Sequence, residues 1–233
     1  PEITGFYSGL GQNLAIFAKV KALRESPEYA TLTPTRQRIV DNDLRDFRLS
    51  GAELPEDKKP RFKEIQEEMS ALAAKFSENI LDATNAHAEW IDDDARLAGL
   101  PEDVKTTASA AAEKDGKPGW KFTLHAPSYM PVLQYADNSA LRERMYRAYV
   151  TRASEFGDAK LDNTSLITEI VSLRREMAQL LGFANFAEYS LEAKMAETPA
   201  QVLEFLRELA VRAKPYAQRD LKELQDFARK ELG

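Results

Sequence analysis

Residues 61–87 read RFKEIQEEMSALAAKFSENILDATNAH. Phe62, Ile65, Met69, Leu72, Phe76, Ile80 and Ala83 recur every three or four positions, the spacing that gathers side chains onto one face of an α-helix. Glu64, Glu67, Glu68, Lys75 and Glu78 fall between them and face elsewhere. At about 1.5 Å per residue the stretch predicts a helix about 40 Å long, and with it an elongated helical body.

The flanking sequence carries helix signals of the same kind. Thr33-Pro34 pairs an N-cap residue with proline at the first helical position, where its missing N–H costs nothing. Thr198-Pro199-Ala200-Gln201 repeats this and adds a capping-box glutamine, followed by an inward face of Val202, Phe205, Leu206, Leu209 and Ala213. Asn138 or Ser139 caps a helix carrying Leu141, Met145, Tyr146 and Tyr149. A helix over 165–181 buries Leu166, Ile170, Leu173, Met177 and Leu180 and stops at Gly182. Pro215 is expected to bend or end the helix begun at Pro199, with the pattern resuming at Leu221, Leu224 and Phe227.

One region breaks the helical reading. Asp115-Gly116-Lys117-Pro118-Gly119 is a turn cluster, after which Trp120, Phe122 and Leu124 alternate with Lys121, Thr123 and His125. This predicts a short strand, with its antiparallel partner near residues 89–92. The alanine- and charge-rich stretch 95–119 reads as an exposed excursion. The expected fold is all-α, a multi-helix body with one short β-ribbon, and residues 1–233 form a single helical lobe.

Composition narrows the function classes. The net charge is −6 with both signs interspersed, which disfavours a phosphate-binding face and nucleic acid as a partner. No apolar run approaches the roughly 18 residues of a membrane span, so no membrane partner is expected. There is no cysteine, which removes disulfides and thiolate metal sites together. The chain starts at Pro1 rather than Met and ends at Gly233 directly after a helical pattern, which reads as a piece of a larger protein.

Candidate sites are few. His87 and His125 are the two histidines, and neither begins the His-Glu-x-x-His by which a helix holds zinc. His87-Ala88-Glu89 matches the start of a zinc-deaminase motif, but that motif needs a downstream cysteine pair. His87 therefore reads as a packed residue extending the long helical stripe, and a chance site of His87, His125 and Glu89 as the minor alternative. Asp92-Asp93-Asp94 lacks the glycine and terminal glutamate of a calcium loop and reads as a solvated turn. Gly9-Leu10-Gly11 lacks the strand and third glycine of a dinucleotide fingerprint and reads as a helix boundary. Tyr129, Tyr135, Tyr146, Tyr149 and Tyr189 could line a peptide groove, but the helical spacing of Tyr146 and Tyr149 favours half-buried packing.

Three longer stretches carry a resemblance. Residues 180–199, LLGFANFAEYSLEAKMAETP, look like a segment of the thimet oligopeptidase family of zinc metallopeptidases. Residues 41–55, DNDLRDFRLSGAELP, and residues 127–138, PSYMPVLQYADN, followed by ALRERMYRAYVTRAS, resemble a bacterial member of that family. The similarity keeps the same order over essentially the whole chain.

The resemblance implies a cytoplasmic enzyme that cleaves short peptides, almost wholly helical, with two lobes facing a narrow channel. In such enzymes zinc is held by His-Glu-x-x-His and a later glutamate, and the glutamate of the motif acts as general base on metal-bound water. None of these residues occurs here, and the matched part corresponds to the family's N-terminal, non-catalytic lobe. No catalytic or metal residue is assigned to this chain, and no substrate-binding residue is identified. The zinc is expected in the parent enzyme, and the partners are the missing catalytic lobe of the same polypeptide and, for the parent, short peptides. Alone, the chain should be inactive and should expose an apolar face that favours self-association. The alternative is a free-standing, non-enzymatic helical binding module.

Overall fold

The computed structural model describes residues 2–232; Pro1 and Gly233, on which the reading of the chain as a piece partly rests, lie outside them. Among the described residues there are eleven α-helices and one two-stranded sheet. In chain order the elements are α1 (Glu2–Gly11), α2 (Leu14–Glu25), α3 (Pro27–Thr31), α4 (Pro34–Leu49), α5 (Lys59–Ala86), β1 (Glu89–Ile91) and α6 (Glu102–Lys114). There follow β2 (Trp120–Phe122), α7 (Ala126–Tyr135), α8 (Ser139–Val150), α9 (Thr164–Leu180), α10 (Phe186–Leu191) and α11 (Pro199–Leu232). Two compact units result: Glu67–Leu173 form one, and Glu2–Gln66 with residues 174–232 form the other.

The long helix lies where its periodicity puts it. Phe62 and Ile65 are fully buried, and Met69, Leu72, Phe76, Ile80 and Ala83 are half-buried, while Glu64, Lys75 and Glu78 are exposed; Glu67 and Glu68, also expected outward, are half-buried. α9 behaves likewise, with Leu173 and Met177 buried and Leu166 and Ile170 half-buried. Its end follows from Gly182 at φ +87°, a left-handed conformation that costs glycine nothing. Gly182 N–H donates to the Gln179 carbonyl at 3.1 Å and Phe183 N–H to the Ala178 carbonyl at 2.9 Å, the pair of bonds that closes a Schellman stop.

In the first unit, β1 and β2 pair antiparallel with Glu89 opposite Phe122, Trp90 opposite Lys121 and Ile91 opposite Trp120. The pairing carries Ile91, Phe122 and Leu124 into a core completed by Leu97, Leu100, Tyr129, Val132, Leu141 and Met145. Of the two candidate caps of α8, Asn138 serves: Leu141 N–H donates to Asn138 Oδ1 at 3.0 Å.

The stretch 95–119 is anchored by four buried residues, Leu97, Leu100, Ala108 and Ala112, while 113–118 are exposed. Asp93 caps a short 3-10 turn by accepting the Ala95 N–H at 3.0 Å, and the turn delivers Leu97 and then Leu100 to the core. Ala108 and Ala112 are the buried residues of α6. Alanines let a helix approach a strand closely, so low hydrophobic bulk here marks tight packing rather than exposure. Gly99 serves a similar close approach, since a Cβ at this position would sit 2.1 Å from the Tyr135 carbonyl oxygen.

In the second unit, Phe17, Leu44 and Ala52 are buried together with Val20 and Phe47 packed against them. Asp41 accepts Arg24 Nε at 2.7 Å and the Tyr29 hydroxyl at 2.9 Å, pinning α4 to α2 and α3. Arg61 on α5 meets Glu176 on α9 in a two-point contact, Nε to Oε1 at 2.7 Å and Nη2 to Oε2 at 2.8 Å. Asn185 opens α10 by accepting the Glu188 N–H at 3.1 Å, while Glu188 Oε2 accepts the Ala184 N–H in return.

α11 departs from expectation in two ways. It runs unbroken through Pro215 for 34 residues. The carbonyl of Val211, which Pro215 cannot serve, belongs to an exposed turn where water can satisfy it. The face predicted to point inward does not: Phe205, Leu206 and Leu209 are exposed, and along the whole helix Pro199, Val202 and Ala228 are the residues with described side chains that are even half-covered.

Candidate functional site

The sequence candidates for metal binding are each committed elsewhere or unsuited. The Glu89 carboxylate accepts Arg144 Nε at 2.9 Å and Nη2 at 2.6 Å through one oxygen, bracing β1 against α8. His125 is exposed, with its Nε2 3.1 Å from Asn85 Oδ1. α5 ends at Ala86, so His87 follows the helix rather than extending its stripe, because the chain must extend to enter β1 at Glu89. His87 is half-buried, its Nε2 is buried without a hydrogen-bond partner, and burial lowers its pKa below the ordinary imidazole value against the raising influence of Glu89. Among the described residues, no cluster of three or more His, Asp or Glu side chains could hold a metal ion. Asp92, Asp93 and Asp94 are exposed, with Asp93 serving as a cap, and Gly11 closes α1.

The tyrosines divide. Tyr129 is buried and stacks on half-buried Tyr149, and burial is the main cause of its raised pKa. Tyr189 packs edge-on to Phe183 at 5.7 Å and tilted to Phe186 at 5.6 Å, so it too is a packing residue. Tyr146, expected to be half-buried, is exposed, as is Tyr135. Those two rings are open to another molecule.

One surface feature is located by residue patterning but assigned by it to the wrong environment. Along α11, Phe205, Leu209, Tyr216, Leu224 and Phe227 recur at intervals that keep them on one side, with Leu206 and Leu221 beside them, and Phe227 is 65% exposed. The other side is laced by ion pairs of Arg212 with Glu208, Arg219 with Glu223 and Lys222 with Asp226. Such pairs hold a solvated face at about 0.3–0.5 kcal/mol each and do nothing for the apolar side. A stripe about 33 Å long with this exposure exceeds what a monomer's surface ordinarily carries. α1 has a smaller example in Ile3, Phe6, Tyr7 and Leu10, all exposed.

Comparison with known proteins gives this geometry a context. The model for "Neurolysin/Thimet oligopeptidase, N-terminal domain" matches residues 1–59, and that for "Peptidase family M3" matches residues 132–233. Together with the helical architecture they define the class, a helical part of a metallopeptidase family. The chain belongs to the thimet oligopeptidase family and is similar to its oligopeptidase A members. Oligopeptidase A of Salmonella typhimurium is 46% identical over 100% of this chain, which covers 35% of that protein. Probable cytosolic oligopeptidase A of Arabidopsis thaliana is 42% identical over 98% of the chain and 33% of its own length. Dipeptidyl carboxypeptidase of Salmonella typhimurium is 33% identical over 100% of the chain and 34% of its own length. The chain thus spans about a third of the length of the curated relatives it matches. No helix among the described residues is long and apolar enough to cross a membrane.

Proposed function

We propose that this chain forms the helical, non-catalytic wall of a zinc-dependent enzyme that hydrolyses short peptides in the cytoplasm. The observation that carries the reading is the similarity to oligopeptidase A along the whole of this chain but over 35% of that protein. The residues present do not fit zinc. With two histidines and no cysteine in the sequence, with His125 on Asn85 and Glu89 on Arg144, the donors a tetrahedral site needs are lacking. The metal and the base that activates water are therefore assigned to the rest of the polypeptide, and no catalytic role is given to any residue here.

The exposed stripe of α11 supports the same reading, because burying it against further polypeptide would release about 25 cal/mol per Å² of apolar surface. The contribution of this chain is steric: it bounds the space a peptide enters and keeps folded proteins out. The rival, a free-standing helical binding module, predicts a natural protein near the 26.2 kDa of this chain. The proposal predicts a natural protein about three times that mass, with His-Glu-x-x-His in its remaining sequence. The intact mass of the endogenous protein decides between them, and a value close to that of this chain would exclude the proposal.

A further inference from the structure

A second feature is independent of the peptidase reading. Beside the end of α5 lies a cavity of about 350 Å³, at the lower end of small-molecule sites, lined by Ala83, Ala86, Leu124, Ala148 and Phe156 among others. Three ionisable side chains line the same space: His87, Arg152 and Asp158.

Each is held. The Arg152 guanidinium lies 3.7 Å from the centre of the Tyr149 ring, donates Nε to the Tyr149 carbonyl at 2.9 Å and Nη1 to Thr84 Oγ1 at 2.8 Å. Its position is thus fixed by an aromatic ring, a carbonyl and a hydroxyl, neutral groups that leave its positive charge in place. Asp158 accepts the Lys160 N–H through Oδ1 at 2.9 Å, which orients the carboxylate while preserving its charge. His87 lines the same space, while its Nε2 is closed off from it and has no protein hydrogen-bond partner. The loop bearing Arg152 and Asp158 passes through Ala153 at φ +49°, buried and left-handed although not glycine, and is fastened by Asn163 N–H to the Ala153 carbonyl at 3.0 Å. Strain of this kind is retained where it places neighbouring side chains.

One positive charge, one negative charge and one neutral imidazole around an apolar lining suit a small zwitterion with an apolar tail. We propose that the cavity bounded by His87, Arg152 and Asp158 binds an apolar α-amino acid, its carboxylate toward Arg152, its ammonium toward Asp158 and its side chain against Ala83, Leu124 and Phe156. A peptide terminus carries only one of the two charges, so the same chemistry separates a free amino acid from a peptide end.

The test is calorimetric and NMR titration of the chain with L-leucine, leucinamide, N-acetyl-leucine, glycine and a leucine dipeptide. Leucine should bind saturably and shift the His87 ring signals while leaving those of exposed His125 in place. Leucinamide and N-acetyl-leucine, each lacking one charge, should bind at least about tenfold more weakly, which is about 1.4 kcal/mol. Glycine should be weaker than leucine for want of a tail, and the dipeptide weaker for its separated charges. Asp158→Asn retains the acceptor for Lys160 N–H, so the loop should persist; it should abolish the preference for leucine over N-acetyl-leucine. No saturable shift of His87 at millimolar leucine, equal binding of all five compounds, or an unchanged preference in Asp158→Asn would each overturn the proposal.

Discussion

Tyr129 of α7 and Tyr149 of α8 stack face to face, their ring centres 4.2 Å apart and their planes inclined by 12°. With Arg152 over the same Tyr149 ring at 3.7 Å, the ring is sandwiched between an aromatic and a cation. A stacked aromatic pair adds about 0.5–1.5 kcal/mol beyond area burial, and a partly desolvated cation–π contact a comparable amount. Tyr149→Phe should therefore fold with nearly unchanged stability. Tyr149→Ala should cost about 3 kcal/mol, read as a fall in the urea midpoint at unchanged slope.

A second prediction concerns a polar pair inside the first unit. Asn79 Nδ2 donates to Asn163 Oδ1 at 2.8 Å, and Asn163 Nδ2 donates to the Phe76 carbonyl at 3.1 Å, with both residues buried. Asn163→Ala strands the Asn79 amide and should cost about 1–3 kcal/mol. Replacing both residues should cost less than the sum of the single losses, and a double-mutant cycle in chemical denaturation measures the difference.

His87 makes stability depend on pH. Burial depresses its pKa in the folded state, so the folded chain binds fewer protons there than the unfolded chain. Its contribution is fully present above the unfolded imidazole value of about 6.5 and is lost as pH falls toward and through the depressed folded value. His87→Gln should flatten the fall in stability with acid below that pH and leave its behaviour at higher pH unchanged. Thermal melts of both proteins across the range show whether it does.

Placing charge on the open stripe should change association and little else. Phe205→Glu and Phe227→Glu replace side chains that are 63% and 65% exposed, so neither empties a packed site. Each should shift the isolated chain toward monomer in sedimentation equilibrium, with a melting temperature changed by only a few degrees. Self-association insensitive to both substitutions would show that another surface drives it.

Much of the helical framework is legible in the amino-acid sequence, and what the sequence hides has physical reasons. α5 and α9 are readable because their apolar residues repeat strictly, and both helices cover that face. The β1–β2 ribbon is readable from the period-two alternation of Trp120, Phe122 and Leu124 beyond a glycine-rich turn. Periodicity states which face must be covered but not what covers it, so α11 reads correctly as amphipathic while its apolar side, expected inward, stands open. Ala108 and Ala112 mislead for a related reason, since alanine is equally at home on a surface and in a close helix–strand contact. The cavity at His87 leaves no mark in the sequence. It joins residues 83–87 to residues 151–161, brought together by the folded chain alone, and a bare nitrogen without a partner has no sequence signal.

The most direct test of the central claim is turnover by the chain itself. Purified protein with added zinc and an internally quenched fluorescent peptide should show no hydrolysis above a protein-free control and should retain no stoichiometric zinc after gel filtration. Sustained cleavage abolished by a chelator, with one zinc per chain, would place the metal chemistry in these residues and contradict the account.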